Sequence, residues 1–206
     1  MRVARLIAVP NRIMMIRPHL DDLPPSELPE PYTIRWHRDG DARHWMTIKS
    51  ASDTHHHAPP DYHERLYDAH SDELRQRQAF ICDGSGKPVG TATAWWFEDL
   101  DDLSLGKINW MLIAPEAQGR GLAKPLLAAC CARLASLGDT RAALYTLTQR
   151  IPAINLYRSF GFVPLIRHAA DTRAWSTTSP LMKRPYSESE YLRATELGVD
   201  IAALSD

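Results

Sequence analysis

A junction in the middle of the chain has the residue types that bind anions. An apolar stretch ends at Pro115, and Gly119 and Gly121 then precede a segment with helical periodicity. The first N–H groups of a helix have no partner within it, and the helix dipole adds partial positive charge there. Glycine lets a ligand approach the backbone closely. The junction therefore predicts a phosphate site of main-chain amides, with Arg120 and Lys124 as additional charges or as solvated side chains.

The junction differs from two other phosphate-binding loops. Its glycines are not followed by Lys and Ser or Thr, as in a P-loop, and the three spaced glycines of a dinucleotide-binding loop are absent. Pro125 falls in the first turn of the expected helix, where its missing N–H removes no helical hydrogen bond. The pattern thus favours a third kind of phosphate loop.

A second segment, Asn155–Phe162, follows roughly thirty residues downstream and reads Asn-Leu-Tyr-Arg-Ser-Phe-Gly-Phe. Together with Gln118-x-x-Gly121-x-Ala123, it resembles the motifs Q/R-x-x-G-x-G/A and N-x-Y-x-x-x-G-F of the GNAT superfamily of acyl-CoA-dependent N-acyltransferases. The order and spacing match, and a strand is expected between the two segments. The resemblance covers about residues 31 to 183.

The resemblance implies an α/β fold, in which a mixed, splayed central sheet is flanked by helices. It also implies acetyl-CoA as acyl donor, an amine as acceptor, and direct attack in a ternary complex. A backbone N–H near Leu112 would polarise the thioester carbonyl, and Tyr157 would protonate the leaving thiolate. The residues expected to hold the cofactor are Met111, Leu112, Ile113, Gln118, Gly119, Arg120, Gly121, Leu122, Ala123, Lys124 and Asn155.

This chain differs from the family pattern at the position of the general base. Many relatives place Glu or His on the central strand, where this chain has Asn109, and an amide accepts no proton usefully. Glu98 is the candidate base, and solvent or a water chain is the alternative. Arg150 stands where many relatives carry Asn, and it would reach a cofactor phosphate or face solvent. The missing base keeps a second function class open, a non-catalytic acyl-CoA-binding regulatory module.

The predicted elements alternate as a mixed α/β sheet requires. Strands are expected at Tyr32–Trp36, about 76–82, Val89–Phe97, Lys107–Ala114, Ala142–Thr148, Phe162–Arg167 and Trp175–Lys183. Helices are expected at Ala42–Ser50, Asp61–Gln78, Leu122–Leu137, Pro152–Phe160 and from Ser187 to near Gly198. The corresponding regions are an N-terminal extension and linker (1–30), a GNAT domain (31–183) and a C-terminal helical appendage (184–206).

Composition narrows the possible partners. The formal net charge of −1 gives no basic field for nucleic acid, and no apolar run reaches membrane-spanning length. The N-terminal apolar stretch is too short for a secretory signal, so a cytoplasmic protein is expected. The three cysteines are expected to be buried thiols rather than a disulfide framework. A homodimer stays open.

A histidine tract at positions 55–57, with His63 nearby, is expected to be a solvated loop, to contact the acceptor or to shuttle a proton. A metal is not expected, because consecutive residues cannot all point at one ion and no acidic or cysteine ligands have suitable spacing.

Overall fold

The computed structural model describes residues 11–52, 58–97 and 104–198. The strands are β1 Arg12–Arg17, β2 Thr33–Trp36, β3 Gln78–Cys82, β4 Pro88–Trp96, β5 Leu105–Ile113, β6 Arg141–Leu147, β7 Val163–Ile166 and β8 Leu192–Arg193. The helices are α1 Ala42–Ser52, α2 Tyr62–Tyr67, α3 Ser71–Arg77, α4 Ala123–Ser136, α5 Ile151–Ser159 and α6 Ala169–Thr178. The strand order β2-β3-β4-β5-β6-β1-β7-β8 includes parallel and antiparallel pairs, which confirms the predicted mixed α/β class.

The chain divides into two compact units, and strand β5 contributes to both. The "loop unit" comprises Leu23–Trp95 and Ile108–Leu137, and the "tyrosine unit" comprises Met1–Asp22, Trp96–Lys107 and Gly138–Asp206.

In the loop unit, β2, β3 and β4 form an antiparallel sheet. The turn between β3 and β4 is held by Asp83, whose carboxylate accepts hydrogen bonds from the N–H groups of Ser85 and Lys87 at 2.9 and 3.1 Å. The helical periodicity predicts one apolar stripe of Leu122, Leu126, Leu127, Cys130, Leu134 and Leu137 on α4. The first five are buried, whereas Leu137, just past the end of the helix, is exposed. A separate cluster packs under α1, consisting of Trp45, Ile48, Phe80, Cys82 and Leu112.

In the tyrosine unit, β6 pairs in parallel with the start of β5 and antiparallel with β1. The ladder between β5 and β6 joins Leu105–Lys107 to Arg141–Ala143. Strand β1 also pairs with β7, so it has a neighbour on each side. The core on these strands is formed by Met14, Ile16, Phe97, Leu105, Ala143 and Leu165.

The expectation that residues 1–30 lie outside the sheet is wrong for β1. Met14 and Met15 are fully buried and lie opposite Tyr145 and Leu144 of β6. A strand buried on both faces has a short continuous apolar run without alternation. The sequence alone favours an extension here, because prolines dominate the residues that follow this run.

Three further element predictions are wrong. Residues 175–183 form the end of α6 and a 3-10 turn, because Asp171, Ala174, Trp175 and Thr178 are buried at helical spacing. The C-terminal segment forms two short 3-10 turns and β8 instead of a helix. The long helix expected at Asp61–Gln78 is divided into α2, a 3-10 turn and α3.

Candidate functional site

The "glycine loop", Gln118–Lys124, belongs to the loop unit and follows strand β5. The N–H of Ala114 donates to the carbonyl of Val89 at 2.8 Å, and a 3-10 turn over Pro115–Ala117 then redirects the chain. Gly119 and Gly121 have φ values of +74° and +80°. Residues with a Cβ rarely adopt these values, so the backbone itself requires glycine at both positions.

Helix α4 begins at Ala123, and no side chain caps its first N–H groups. These amides lie beside a cavity of about 290 Å³. The cavity is lined by Ile113, Ala117, Gln118, Gly119, Gly121, Leu122, Ala123 and Lys124. Uncapped amides and the positive end of the helix dipole are suited to an anion, and the open backbone at the glycines lets that anion come close.

The carbonyl of Ile113 accepts hydrogen bonds from two side chains at the end of β5. Gln118 Nε2 donates at 3.0 Å and Ser52 Oγ donates at 3.1 Å. The side chain of Gln118 therefore fixes the strand end, while its backbone belongs to the loop. Ser52 was missed in the sequence, because it lies 61 residues from its partner and no local pattern marks it.

Two cationic side chains accompany the loop. Lys124 is exposed and lines the cavity. Arg120 is also exposed, and its Nη1 donates to the hydroxyl of Tyr32 at 3.0 Å. No local pattern predicts Tyr32 at this site, because it lies 88 residues from Arg120.

Trp110, immediately before the predicted cofactor strand residues Met111–Ile113, has a φ of +49°. A bulky residue in this region is unusual and persists only where its surroundings hold it. Its ring packs edge-on against Trp45 and Tyr62, with centroids 5.4 and 5.7 Å apart. The ammonium of Lys49 lies 5.9 Å from the rings of Tyr62 and Trp110. This backbone irregularity was not predicted.

Tyr157 lies on helix α5 of the tyrosine unit and is 7% exposed. Burial raises its pKa to about 12, and the charge of Arg150 opposes this in part. At neutral pH the phenol therefore keeps its proton and has it available to donate.

Asn155, also on α5, makes hydrogen bonds within the chain through both the nitrogen and the oxygen of its side-chain amide. Its Nδ2 donates to the carbonyl of Ile151 at 3.0 Å, and its Oδ1 accepts from the N–H of Lys183 at 3.1 Å. Arg150 stands at the N-cap position of α5.

The predicted residues thus fall into two groups, the glycine loop with Met111–Ile113, and the two residues of α5. The candidate base Glu98 and the histidine tract at 55–57 lie outside the described residues. Within the described ranges, no three His, Cys, Asp or Glu side chains are grouped so that they could hold a metal ion. No helix in those ranges is both long and apolar enough to cross a membrane.

The sequence of this chain is similar to those of known proteins. The model of the acetyltransferase (GNAT) family matches residues 19–162. A mycothiol acetyltransferase of Pseudarthrobacter chlorophenolicus is 32% identical over 146 residues, covering 68% of this chain and 45% of the relative. One of Streptomyces bingchenggensis is 30% identical over 147 residues, covering 68% and 46%. The chain therefore spans about half the length of these curated relatives.

Solved structures share the fold. A GCN5-related N-acetyltransferase from Sphaerobacter thermophilus has a TM-score of 0.64 at 22% identity, covering 76% of this chain and 49% of its own. The spermidine N-acetyltransferase from Vibrio cholerae, solved with CoA and spermine, has a TM-score of 0.53 at 22% identity, covering 66% and 82%.

Proposed function

The chain belongs to the GNAT acetyltransferase family, and from that premise we propose that it transfers an acetyl group from acetyl-CoA to an amine. The observation that carries the proposal is the glycine loop. Its two left-handed glycines and the uncapped start of α4 meet at one cavity. This arrangement fits the diphosphate of CoA, because it offers several amide donors to one doubly charged group.

The residues before the loop provide the rest of the cofactor site in this proposal. Met111 and Ile113 pair their main-chain groups with the amides of the pantetheine arm. The carbonyl of Ile113 already has two side-chain donors, so its N–H is the group left for the cofactor. The N–H near Leu112 polarises the thioester carbonyl, where negative charge develops during attack.

Tyr157 acts on the departing sulfur. A phenol with a pKa of about 12 is protonated at every physiological pH, so it is always a donor. Complete proton transfer to a thiolate of ordinary pKa, about 8.5, is uphill by roughly 5 kcal/mol. Tyr157 therefore supports departure mainly by hydrogen bonding to the sulfur as charge accumulates there, and cofactor binding that lowers its pKa would ease full transfer.

The base that takes the proton from the attacking amine is proposed to be Glu98. Its position at the end of the β4 segment in the sequence supports this assignment, since Asn109 on β5 cannot serve. An acceptor amine that is already partly unprotonated needs only a chain of water molecules to take its proton. The loss of kcat on removing Glu98 therefore depends on the pKa of the acceptor amine.

The experiment is a thiol-release assay with acetyl-CoA and a panel of amines. The panel contains a polyamine, an aminosugar, free amino acids without a thiol and a peptide N-terminus. Release of free thiol that depends on an amine, with an acetylated product of matching mass, supports the proposal. Tight binding of acetyl-CoA with no release for any amine would favour a non-catalytic acyl-CoA-binding module.

A further inference from the structure

Helix α5 is bonded to a segment that lies beyond the range matched by the family model, which ends at residue 162. We call this segment, Lys183–Glu190, the "C-terminal clasp". Its first contact is the N–H of Lys183, which donates to Oδ1 of Asn155 at 3.1 Å. The other end of the same amide donates to Ile151 in the first turn of α5, at 3.0 Å. Asn155 thereby ties the clasp to the helix backbone.

The second contact is an ion pair at the other end of the clasp. Arg158 Nη2 lies 2.9 Å from Glu190 Oε1, and the Arg158 side chain is only 10% exposed. The guanidinium also lies over the ring of Tyr186, 3.7 Å from its centroid. The N–H of Ser187 donates to the second oxygen of Glu190 at 2.8 Å, which fixes the carboxylate toward the arginine.

The clasp is itself anchored to the rest of the tyrosine unit. Ser179, just after α6, donates through Oγ to the carbonyl of Tyr186 at 3.1 Å and accepts from its N–H at 2.6 Å. The hydroxyl of Tyr186 donates to the carbonyl of Phe162. The ring of Tyr186 packs edge-on against the buried Trp175 at 5.7 Å.

Strand β1 also contacts the C-terminal end of α5. The buried guanidinium of Arg17 donates to the carbonyl of Phe160 and, at 2.5 Å, to that of Asp22. Gly161 lies between Phe160 and Phe162, and a Cβ there would come within 2.5 Å of the Arg17 guanidinium. Both carbonyls that flank Gly161 are therefore held by side chains from outside the helix.

Tyr157 lies between the two clasp contacts, with Asn155 before it and Arg158 after it. Helix α5 has nine residues, and a helix of that length is marginal without tertiary support. A displacement of about 1 Å at a reacting group lowers a rate by as much as a hundredfold. Support on both sides of the tyrosine therefore bears directly on the catalytic geometry.

We infer that the C-terminal clasp is a positioning element for Tyr157, acting through Asn155 and Arg158. This inference rests on the proposed role of Tyr157 in acetyl transfer. It makes Asn155 a positioning residue, because its amide joins the N–H of Lys183 in the clasp to the first turn of α5. The clasp is a feature of this chain beyond the matched family region, so it explains what residues 183–190 contribute.

The test uses the full chain with Glu190→Gln and Asn155→Ala, and with Glu188→Gln as matched control. Glu188 lies in the same short turn, is exposed and is bonded to nothing on α5. Two properties are measured, hydrogen exchange of the α5 amides and steady-state kinetics. Near-ultraviolet circular dichroism confirms that each variant is folded, and Tyr186→Phe, which removes a single hydroxyl, serves if either variant is not.

For Glu190→Gln and Asn155→Ala we expect α5 amides to exchange at least tenfold faster, with α4 amides unchanged. We expect kcat to fall about tenfold and KM for acetyl-CoA to stay within twofold. In a Tyr157→Phe background the same substitutions should change kcat less than twofold, because the group they position is gone. Glu188→Gln should match the parent in every measurement.

Unchanged exchange in α5 would overturn the inference whatever the activity. The inference would also be overturned if the kcat loss of a clasp variant and that of Tyr157→Phe multiplied in the double variant. The clasp would then act on the reaction independently of Tyr157. Absence of acetyl transfer to any amine in the parent chain would instead defeat the proposed function, and the exchange data would still decide whether the clasp holds α5.

Discussion

The glycine loop and helix α5 offer hydrogen-bond donors in opposite ways. In the loop, the donors are backbone amides. Two glycines separated by one residue, with φ of +74° and +80°, produce the required geometry locally. On α5, the donor is one phenol, and the helix that carries it is held by contacts from residues 28, 32 and 143 positions away. A backbone site is therefore encoded in a short motif, whereas a side-chain donor depends on elements spread along the chain.

The largest expected effect is at the phenol. Tyr157→Phe should lower kcat about a hundredfold, because removing one preorganised hydrogen-bond donor to developing charge costs roughly 10² or more in kcat, while leaving the Kd of acetyl-CoA within about twofold. Steady-state kinetics with calorimetry on the same preparation would show this separation. Unchanged kcat would show that Tyr157 takes no part in the reaction.

The same phenol should be visible in alkaline stability. Because burial raises its pKa from 10.0 to about 12, Tyr157 contributes its full stability below pH 10 and loses it as pH rises toward 12. The free energy of unfolding of the parent, relative to Tyr157→Phe, should fall by about 1.4 kcal/mol between pH 9 and pH 11. Urea titrations at both values measure this. A constant difference would mean that the phenol is not buried in solution.

A smaller effect is expected where side chains support the loop. Ser52→Ala and Gln118→Leu each remove one of two donors to the Ile113 carbonyl, and the remaining donor should limit the rise in KM for acetyl-CoA to about twofold. The double variant should show a rise of about tenfold, more than the two single effects predict if each donor compensates for the other. Initial-rate kinetics on the three variants would test this, and a single variant as damaged as the double would contradict it.

The smallest effect is expected at the loop's charges. Arg120→Gln and Lys124→Gln should weaken acetyl-CoA binding two- to fivefold at low salt and less at 0.5 M salt, because both side chains are exposed and screened. Arg173→Gln on α6 is the matched control. A loss as large as that from altering the loop backbone would show that charge, rather than amide geometry, dominates the site.

The sequence predicted what is local and missed what is distant. The glycine loop, α1, α4 and α5 were predicted within a few residues, because capping, glycine and helical spacing are short-range signals. Strand β1 was missed, since its partners Leu144 and Pro164 lie far along the chain and its own pattern is a brief apolar run.

The support around the site was missed for the same physical reason. Ser52, Tyr32 and the clasp act through hydrogen bonds to residues 28 to 88 positions away. The left-handed Trp110 follows from packing against Trp45 and Tyr62, which no property of the strand sequence reveals. Such features depend on tertiary contacts, which override local propensity.

Calorimetric titration of acetyl-CoA into the parent chain, Gly121→Ala and Gly40→Ala would show whether the loop amides bind the cofactor. Gly40 has a φ of +85° in open space, so alanine there imposes a similar backbone penalty, about 1–2 kcal/mol, away from the loop. We expect the parent and Gly40→Ala to bind with equal affinity and Gly121→Ala to bind at least thirtyfold more weakly. No heat with the parent chain at millimolar acetyl-CoA, or equal affinity in all three proteins, would contradict the claim that the loop amides hold the cofactor's diphosphate.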